Sequence, residues 1–301
     1  MREGDPGDTF ALLIEGQADV TRVVQGRVQH LSSAAAGSIL GELAVLSNRP
    51  RTATITAQTS ALAAIGDRPV LLQLLDHPIV LERMRHLASA RLAHDLRPLP
   101  VTLPDGTPIL LRPLLPEDRR GFDAALHQMS PDSLRRRFFS PGQPSQAMVE
   151  YLVDIDFVDH FAWLVLDPAG PGRGLASARY VRDAGDHGTA EVAFGVVDRF
   201  QGHGIGTFLL GALGVTAVEA GVRRLVGEVL EDNAPMRAVF AKAGGVSSYA
   251  EPGVIHTEID AGAAASLLDA GLRQELRIAT HDIVTAASLA LTAPGPTDAR
   301  D

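Results

Sequence analysis

Four prolines and an Asp-Gly pair crowd into Arg97–Pro108, RPLPVTLPDGTP. Proline supplies no backbone N–H and resists helix interiors and central strands, so this stretch is read as a linker. It divides 301 residues into pieces that are each long enough to bury a core. The expected order is a first domain over 1–96, the linker over 97–108, a second domain over 109–260, and a helical lid or tail over 261–301.

Composition excludes several classes. With 46% hydrophobic and 21% charged residues the chain is globular. A formal charge of −9 disfavours general nucleic-acid binding. Without cysteine there is no disulfide framework, thiolate zinc site or cysteine nucleophile, which makes the cytoplasm the default compartment. The start, MREGDPGDTF, lacks a signal-peptide layout, and the apolar stretch FLLGALGVTAV is broken by glycine and stops at Glu219, so no membrane span is expected.

From Asp8 to Asp67 short β-rich runs, TFALLIEG, QADVTRVVQG, RVQHLSS, RTATITAQ and ALAAIGD, alternate with turn signals and predict a barrel or sandwich. Beyond Arg68-Pro69 the apolar spacing becomes helical, with Val70, Leu71, Leu74 and Leu75, then Leu81, Met84, Leu87 and Leu92. After the linker come a strand (ILLRPL), helices from Pro116 and Pro131, the strands HFAWLVLD, GLASARYVRD and AEVAFGVV, and a helix near Gly206. The strand RRLVGEVLE and the helix APMRAVFAKAG follow, and the mixed order predicts an α+β domain. Residues 261–293 have helical spacing, either as a peripheral packing helix or as a mobile arm, and APGPTDARD is expected to be disordered.

Two segments carry candidate chemistry. In GELAVLSNRPRTA, Gly41, Glu42, Leu43 and Ala44 precede Arg51 and Thr52 between two predicted strands. Such a turn can receive a cyclic phosphate on the Arg51 guanidinium and backbone N–H groups while Glu42 accepts from a ribose hydroxyl; the alternative is an ordinary Glu–Arg pair near a turn. In the second, Gln201-Gly202-His203-Gly204-Ile205-Gly206 joins a strand to a helix, where N–H groups suit a diphosphate. A purely structural glycine turn is the other reading. A dinucleotide fold is disfavoured because the preceding strands read as antiparallel and Glu228 falls inside the next strand; the lysine of a nucleotide-triphosphatase loop is also missing.

The run AEVAFGVV offers a base. Strand alternation sends Glu191 to the face opposite Phe194, and partial burial would suit it to accept a proton; an edge glutamate pointing to solvent is the rival reading. His203 is read as pointing outward from the glycine turn, His160 as structural, and His127 as a surface residue.

EGDPGDTFALLIEGQADV followed by GELAVLSNRPRTATITA resembles the cyclic-nucleotide-binding domain family over roughly the first third of the chain. The resemblance implies that Gly41, Glu42, Leu43 and Ala44 form a phosphate-binding cassette with Arg51 as phosphate ligand and Thr52 beside it. Arg91, in the family's hinge and lid helices, becomes a candidate to reach the base, and cAMP is favoured over cGMP. Family members carry a helix and a strand before the EGD turn, whereas Met1 stands inside that motif here, so a missing barrel edge is expected.

Q-x-x-G-x-G after AEVAFGVV, with DNAPMRAVFAKAGG further on, resembles the GNAT acyltransferase superfamily from Ile109 to Asp260. By that resemblance Phe194, Gly195 and Val196 face acetyl-CoA's acyl and pantetheine groups, Gln201 to Gly206 hold its pyrophosphate, and Asn233 borders the pantetheine arm. Glu191 is the implied base. Phe240 stands where many members carry an acid tyrosine.

The whole order is similar to the mycobacterial cAMP-regulated protein lysine acetyltransferases. That likeness implies acyl-CoA synthetases and universal stress proteins as substrates, His127 as a ligand of Mg2+ in an autoinhibited state, and a segment after Ala261 lying over the donor site. The rival is a non-enzymatic sensor of cyclic nucleotide and acyl-CoA with a decayed catalytic domain. A cyclic-nucleotide transcription regulator would need a basic helix-turn-helix after the barrel, where the linker and QGHGIG domain stand instead.

Overall fold

The computed structural model describes residues 1–24, 26–47, 50–170 and 172–288, so the expectation for APGPTDARD lies outside the described residues. The chain forms two compact units, 1–84 and 85–301.

The first unit holds β1 (Thr9–Glu15), β2 (Gln17–Val24), β3 (Arg27–Ala35), β4 (Ile39–Leu40), α1 (Glu42–Ser47), β5 (Thr54–Ala57), β6 (Leu62–Asp67), α2 (Arg68–Leu75) and the start of α3 (Pro78–Asp95). Each β-rich run of the sequence becomes a strand. They build two three-stranded antiparallel sheets, ordered β4-β1-β6 and β3-β2-β5. Phe10, Val45, Leu71 and Met84 are buried together in one core cluster, and Ala11, Ala18, Ala34 and Leu40 form another. Asp67 caps α2 by accepting from the Val70 N–H, with Pro69 in the first turn where no N–H is needed.

The second unit contains β7 (Leu99–Thr102), β8 (Pro108–Pro113), α4 (Arg119–Leu126), α5 (Pro131–Phe138), α6 (Gln146–Val153), β9 (His160–Leu166), β10 (Gly174–Arg182) and β11 (Thr189–Val196). It continues through α7 (Ile205–Glu219), β12 (Arg224–Leu230), α8 (Ala234–Lys242), β13 (Val246–Glu251), β14 (Val254–Asp260), α9 (Ala261–Ala265) and α10 (Ala270–Ser288). The eight strands form one sheet in the order β13-β14-β12-β11-β10-β9-β8-β7, antiparallel except for the β11–β12 pair. The mixed sheet with interspersed helices is the expected α+β arrangement, to which α6 and the β13–β14 hairpin are additions.

The proline-rich stretch is not a free linker. Leu99–Thr102 pairs antiparallel with β8, and the Asp105-Gly106 turn closes the hairpin, with the Leu103 N–H donating to the Thr107 carbonyl at 2.9 Å. β7 is the edge of the sheet, where one side of the backbone needs no partner and proline is tolerated. Nor does the division between units fall there. α3 contributes Met84 to the first unit's core and Ala93 to the second's.

α7 is apolar around its whole circumference and almost wholly buried. Trp163 of β9 donates to the Thr216 hydroxyl at 3.1 Å on one side. On the other, α9 and α10 pack against it so closely that a Cβ on Gly214 would stand 2.4 Å from the Ala265 nitrogen. Ser89 on α3 donates to the Ile283 carbonyl at 3.1 Å, and Arg277 pairs with Glu219 at 2.8 Å, fixing α10 in place. Residues 261–288 are therefore a packed support of α7, the peripheral-helix alternative, and the rest of the expected lid or tail lies outside the described residues.

Candidate functional sites

In the first unit, Gly41 takes φ +79°, and a Cβ there would lie 2.3 Å from Arg51 Nη1. Only glycine leaves room for the guanidinium. Arg51 is buried and donates from Nη1 to the Gly41 carbonyl (2.9 Å) and from Nη2 to the Thr9 carbonyl (2.6 Å) and hydroxyl (3.1 Å). The EGD turn clamps its backbone: the Gly4 N–H donates to the Arg51 carbonyl and the Arg51 N–H to the Asp5 carbonyl, both at 2.9 Å. Glu42, fully buried, opens α1; Ala44 is buried, Leu43 half-buried and Thr52 exposed beside Arg51. The structure thus brings Gly41–Ala44 and Arg51 together around one turn. Arg91, half-buried on α3, belongs to the second unit.

In the second unit the decisive feature is a splay in the sheet. β11 and β12 pair only at Thr189–Arg224, Ala190–Leu225 and Glu191–Val226, after which β11 stays bonded to β10 alone. The backbone of Val192–Val196 is left open toward a cleft of about 580 Å³. Glu191, Phe194, Gly195, Val196, Gln201, Gly202, Gly204, Ile205, Gly206 and Asn233 all line it. By alternation and register Glu191 and Glu228 share one face, and Phe194 and Gly227 the other.

The glycine turn ends the slot. Gly202 and Gly204 have φ of +84° and +85°, and a Cβ on either, or on Gly195, would meet nothing within 4 Å. Gly204 caps α7 without a side-chain bond, so the first N–H groups of this helix face the cleft with no intrahelical acceptor. The Gln201 side chain is committed to the scaffold, donating to the Val196 carbonyl (3.1 Å), Ser133 Oγ (3.0 Å) and Asp198 (3.1 Å). Burial raises the Asp198 carboxyl, but hydrogen bonds from Ser133 and Ser130 outweigh it and hold the group below its ordinary range. His203 points away from the turn to Asp105 Oδ2 at 2.7 Å. Hydrogen bonds from Thr107 and then His203 keep Asp105 below the usual carboxylate range.

Asn233 accepts from the Met236 N–H at 3.3 Å and so caps α8 at the cleft wall. Phe240 is buried, edge-on to Phe194 with centroids 6.0 Å apart, and a Cβ on Gly227 would lie 2.8 Å from its ring. It fills the slot's inner end and has no proton to give.

Glu191 is exposed, contrary to the expected partial burial, although β10 and β12 both pair with it; its side chain stands where the splay begins. The residues that share its face carry no local sequence signal. Arg137, from the RRRF run of α5, lines the cleft, and burial pushes its guanidinium down to about 10 while the Glu191 carboxylate pulls the other way. Behind it Arg179, 2% exposed, donates to the Leu152 carbonyl (2.6 Å) and to His160 Nε2 (3.0 Å). Burial, then the like charge of Arg137, brings Arg179 down to about 9. Arg136, Thr207, Glu228 and Lys242 also line the cleft.

His127 is exposed on the C-terminal cap of α4, its Nδ1 2.9 Å from the Asp123 carbonyl oxygen and 3.7 Å from Asp123 Oδ1. Among the described residues no three His, Asp or Glu side chains gather to hold a metal ion, so the donor set does not fit the Mg2+ expected at His127. No helix among them is long and apolar enough to cross a membrane.

Comparison with known proteins agrees with this geometry. A cyclic nucleotide-binding domain model matches residues 1–77 and an acetyltransferase (GNAT) domain model matches residues 109–246. Acetyltransferase Pat of Mycolicibacterium smegmatis is 37% identical over 289 residues, 96% of this chain and 86% of that protein. The solved cAMP-binding acyltransferase from Mycobacterium smegmatis is 36% identical, covers 96% of this chain and 86% of its own, and gives a TM-score of 0.53. The GNAT domain of S. lividans PAT is 34% identical over 54% of this chain and 96% of that one, with a TM-score of 0.51. The two units are thus a cyclic-nucleotide-binding domain and a GNAT acetyltransferase domain. The chain belongs to the family of acetyltransferases that join the two, of which Acetyltransferase Pat is a member.

Proposed function

We propose that this chain is a cAMP-regulated protein lysine acetyltransferase that uses acetyl-CoA. The observation that carries the reading is the splayed slot: Glu191 stands at the last paired position of β11 and α7 opens just beyond its end. Acetyl-CoA supplies an activated thioester. The free edge of Val192–Val196 offers backbone N–H groups to an acyl oxygen and a pantetheine amide, and the first N–H groups of α7 suit a diphosphate. The open space over Gly195, Gly202 and Gly204 supports this fit.

An attacking lysine has a reference pKa of about 10.4 and must lose a proton, which Glu191 accepts from the open face of the sheet, directly or through water. Phe240 cannot protonate the departing thiolate, but a thiol with a pKa of about 8.5 leaves without that help.

In the first unit a cyclic phosphate would take Arg51 and the N–H groups opening α1, with Glu42 on the ribose and Gly41, Leu43, Ala44 and Thr52 shaping the turn. Acyl-CoA synthetases and universal stress proteins are the proposed substrates, in the cytoplasm.

Transfer from labelled acetyl-CoA to a purified acyl-CoA synthetase, with and without cAMP, tests both sites. Activity should rise with cAMP, lose that rise in Arg51→Ala and collapse in Glu191→Gln. Donor binding without transfer under any condition would favour a sensor instead.

A further inference from the structure

Of the 27 Lys plus Arg residues, one alone is a lysine, Lys242, and it lines the donor cleft. It sits at the last position of α8, with Nζ 3.5 Å from the hydroxyl of Thr207, the third residue of α7. The ammonium therefore stands at the rim of the helix end whose N–H groups face the cleft. The other cleft cations are already engaged: Arg136 pairs with Asp132 at 2.7 Å, and Arg137 lies in the field of Glu191. Among the described residues no carboxylate lies within ion-pair distance of Lys242 Nζ.

We propose that Lys242 is a phosphate ligand of the acyl-CoA donor and that its charge sets donor affinity; this rests on the acetyl-CoA reading above. A chain of net charge −9 that binds a polyanion needs a local cation, and a compact ammonium on a flexible stem suits phosphate as a point charge. Its place beside Thr207 in the first turn of α7 reaches the phosphate end of the slot, whereas Glu191 stands at the last β11–β12 pair, so the residue acts on binding and not on the chemical step. Because every other basic side chain of this class is arginine, Lys242 is also the one side-chain amine the enzyme's own chemistry could neutralise.

The test is calorimetric titration of acetyl-CoA and acetyl-dephospho-CoA into the full chain and into Lys242→Gln and Lys242→Arg. Lys242→Gln should weaken acetyl-CoA about 10-fold, the worth of one charged phosphate contact, while Lys242→Arg stays within about twofold. If the loss vanishes with the dephospho donor, the contact is to the 3′-phosphate; if it persists, it is to the diphosphate; both support the proposal. Equal affinities of parent and Lys242→Gln for both donors would overturn it. Failure of the parent to bind either donor would instead sink the acetyl-CoA reading itself.

Discussion

Arg179 donates a hydrogen bond to Nε2 of His160 at 3.0 Å, with both side chains buried. A guanidinium has no acceptor, so Nε2 must be the unprotonated nitrogen and the ring is neutral. Burial first, and then the Arg179 charge, bring the His160 pKa down to about 3 from 6.5. Below pH 6.5 the unfolded chain gains a proton that the folded chain refuses until about pH 3, so this group's contribution is lost as pH falls through that window. At pH 5 the loss amounts to about 2 kcal/mol. Denaturant midpoints between pH 7 and 5 should fall for the parent and fall less for His160→Gln, which keeps an acceptor without titrating. Parallel slopes would refute the assignment.

Gly41→Ala should uncouple the first unit. Its φ of +79° costs a side-chain-bearing residue about 1–2 kcal/mol, and the added methyl displaces the Arg51 guanidinium. Cyclic-nucleotide affinity should drop at least about tenfold, with basal transfer retained; unchanged titration by fluorescent cAMP would count against it.

Glu191→Gln should cut kcat by about 10²–10⁴ while leaving acetyl-CoA affinity within about twofold, because the side chain is on the acceptor face of the slot. Steady-state kinetics together with donor titration separate these effects. A rise in donor Kd with kcat intact would mean that Glu191 is not the base.

Gly214→Ala probes the α7–α9 contact. The new Cβ would meet backbone atoms of Ala265 and Ala261 at 2.4 and 2.8 Å, which cannot rotate away. Overpacking here should cost about 1–3 kcal/mol in thermal unfolding, and an unaltered midpoint would show that α9 is not packed as described.

Strand runs in the first unit and the glycine turn after β11 were legible because each is local: alternation, turn residues, a strand giving way to a helix. The β7 strand was hidden because prolines speak against strands in general, and only the sheet order reveals that Pro100 is on an edge. Glu191's face was readable from parity, but its exposure depends on what other elements lie over that face, which no residue of β11 encodes. The Arg137–Arg179–His160 cluster joins α5, β10 and β9, and the helical spacing of residues 270–288 says that a face is apolar without saying what it meets. Sequence separation, not weak chemistry, concealed these.

The seam between the units runs through a helix rather than a loop, and this governs how the protein can be divided. A fragment begun at residue 109, where the GNAT model starts, forfeits Leu99–Thr102 and Ala93 and bares the edge of β8 to intermolecular pairing. One begun at Arg85 keeps the Ser89–Ile283 bond and a protected sheet. Evolutionary shuffling or engineered exchange of the nucleotide-sensing half thus has its junction inside a helical segment and not in a loop, so each half must carry its own share of α3 to keep Met84 or Ala93 in its core.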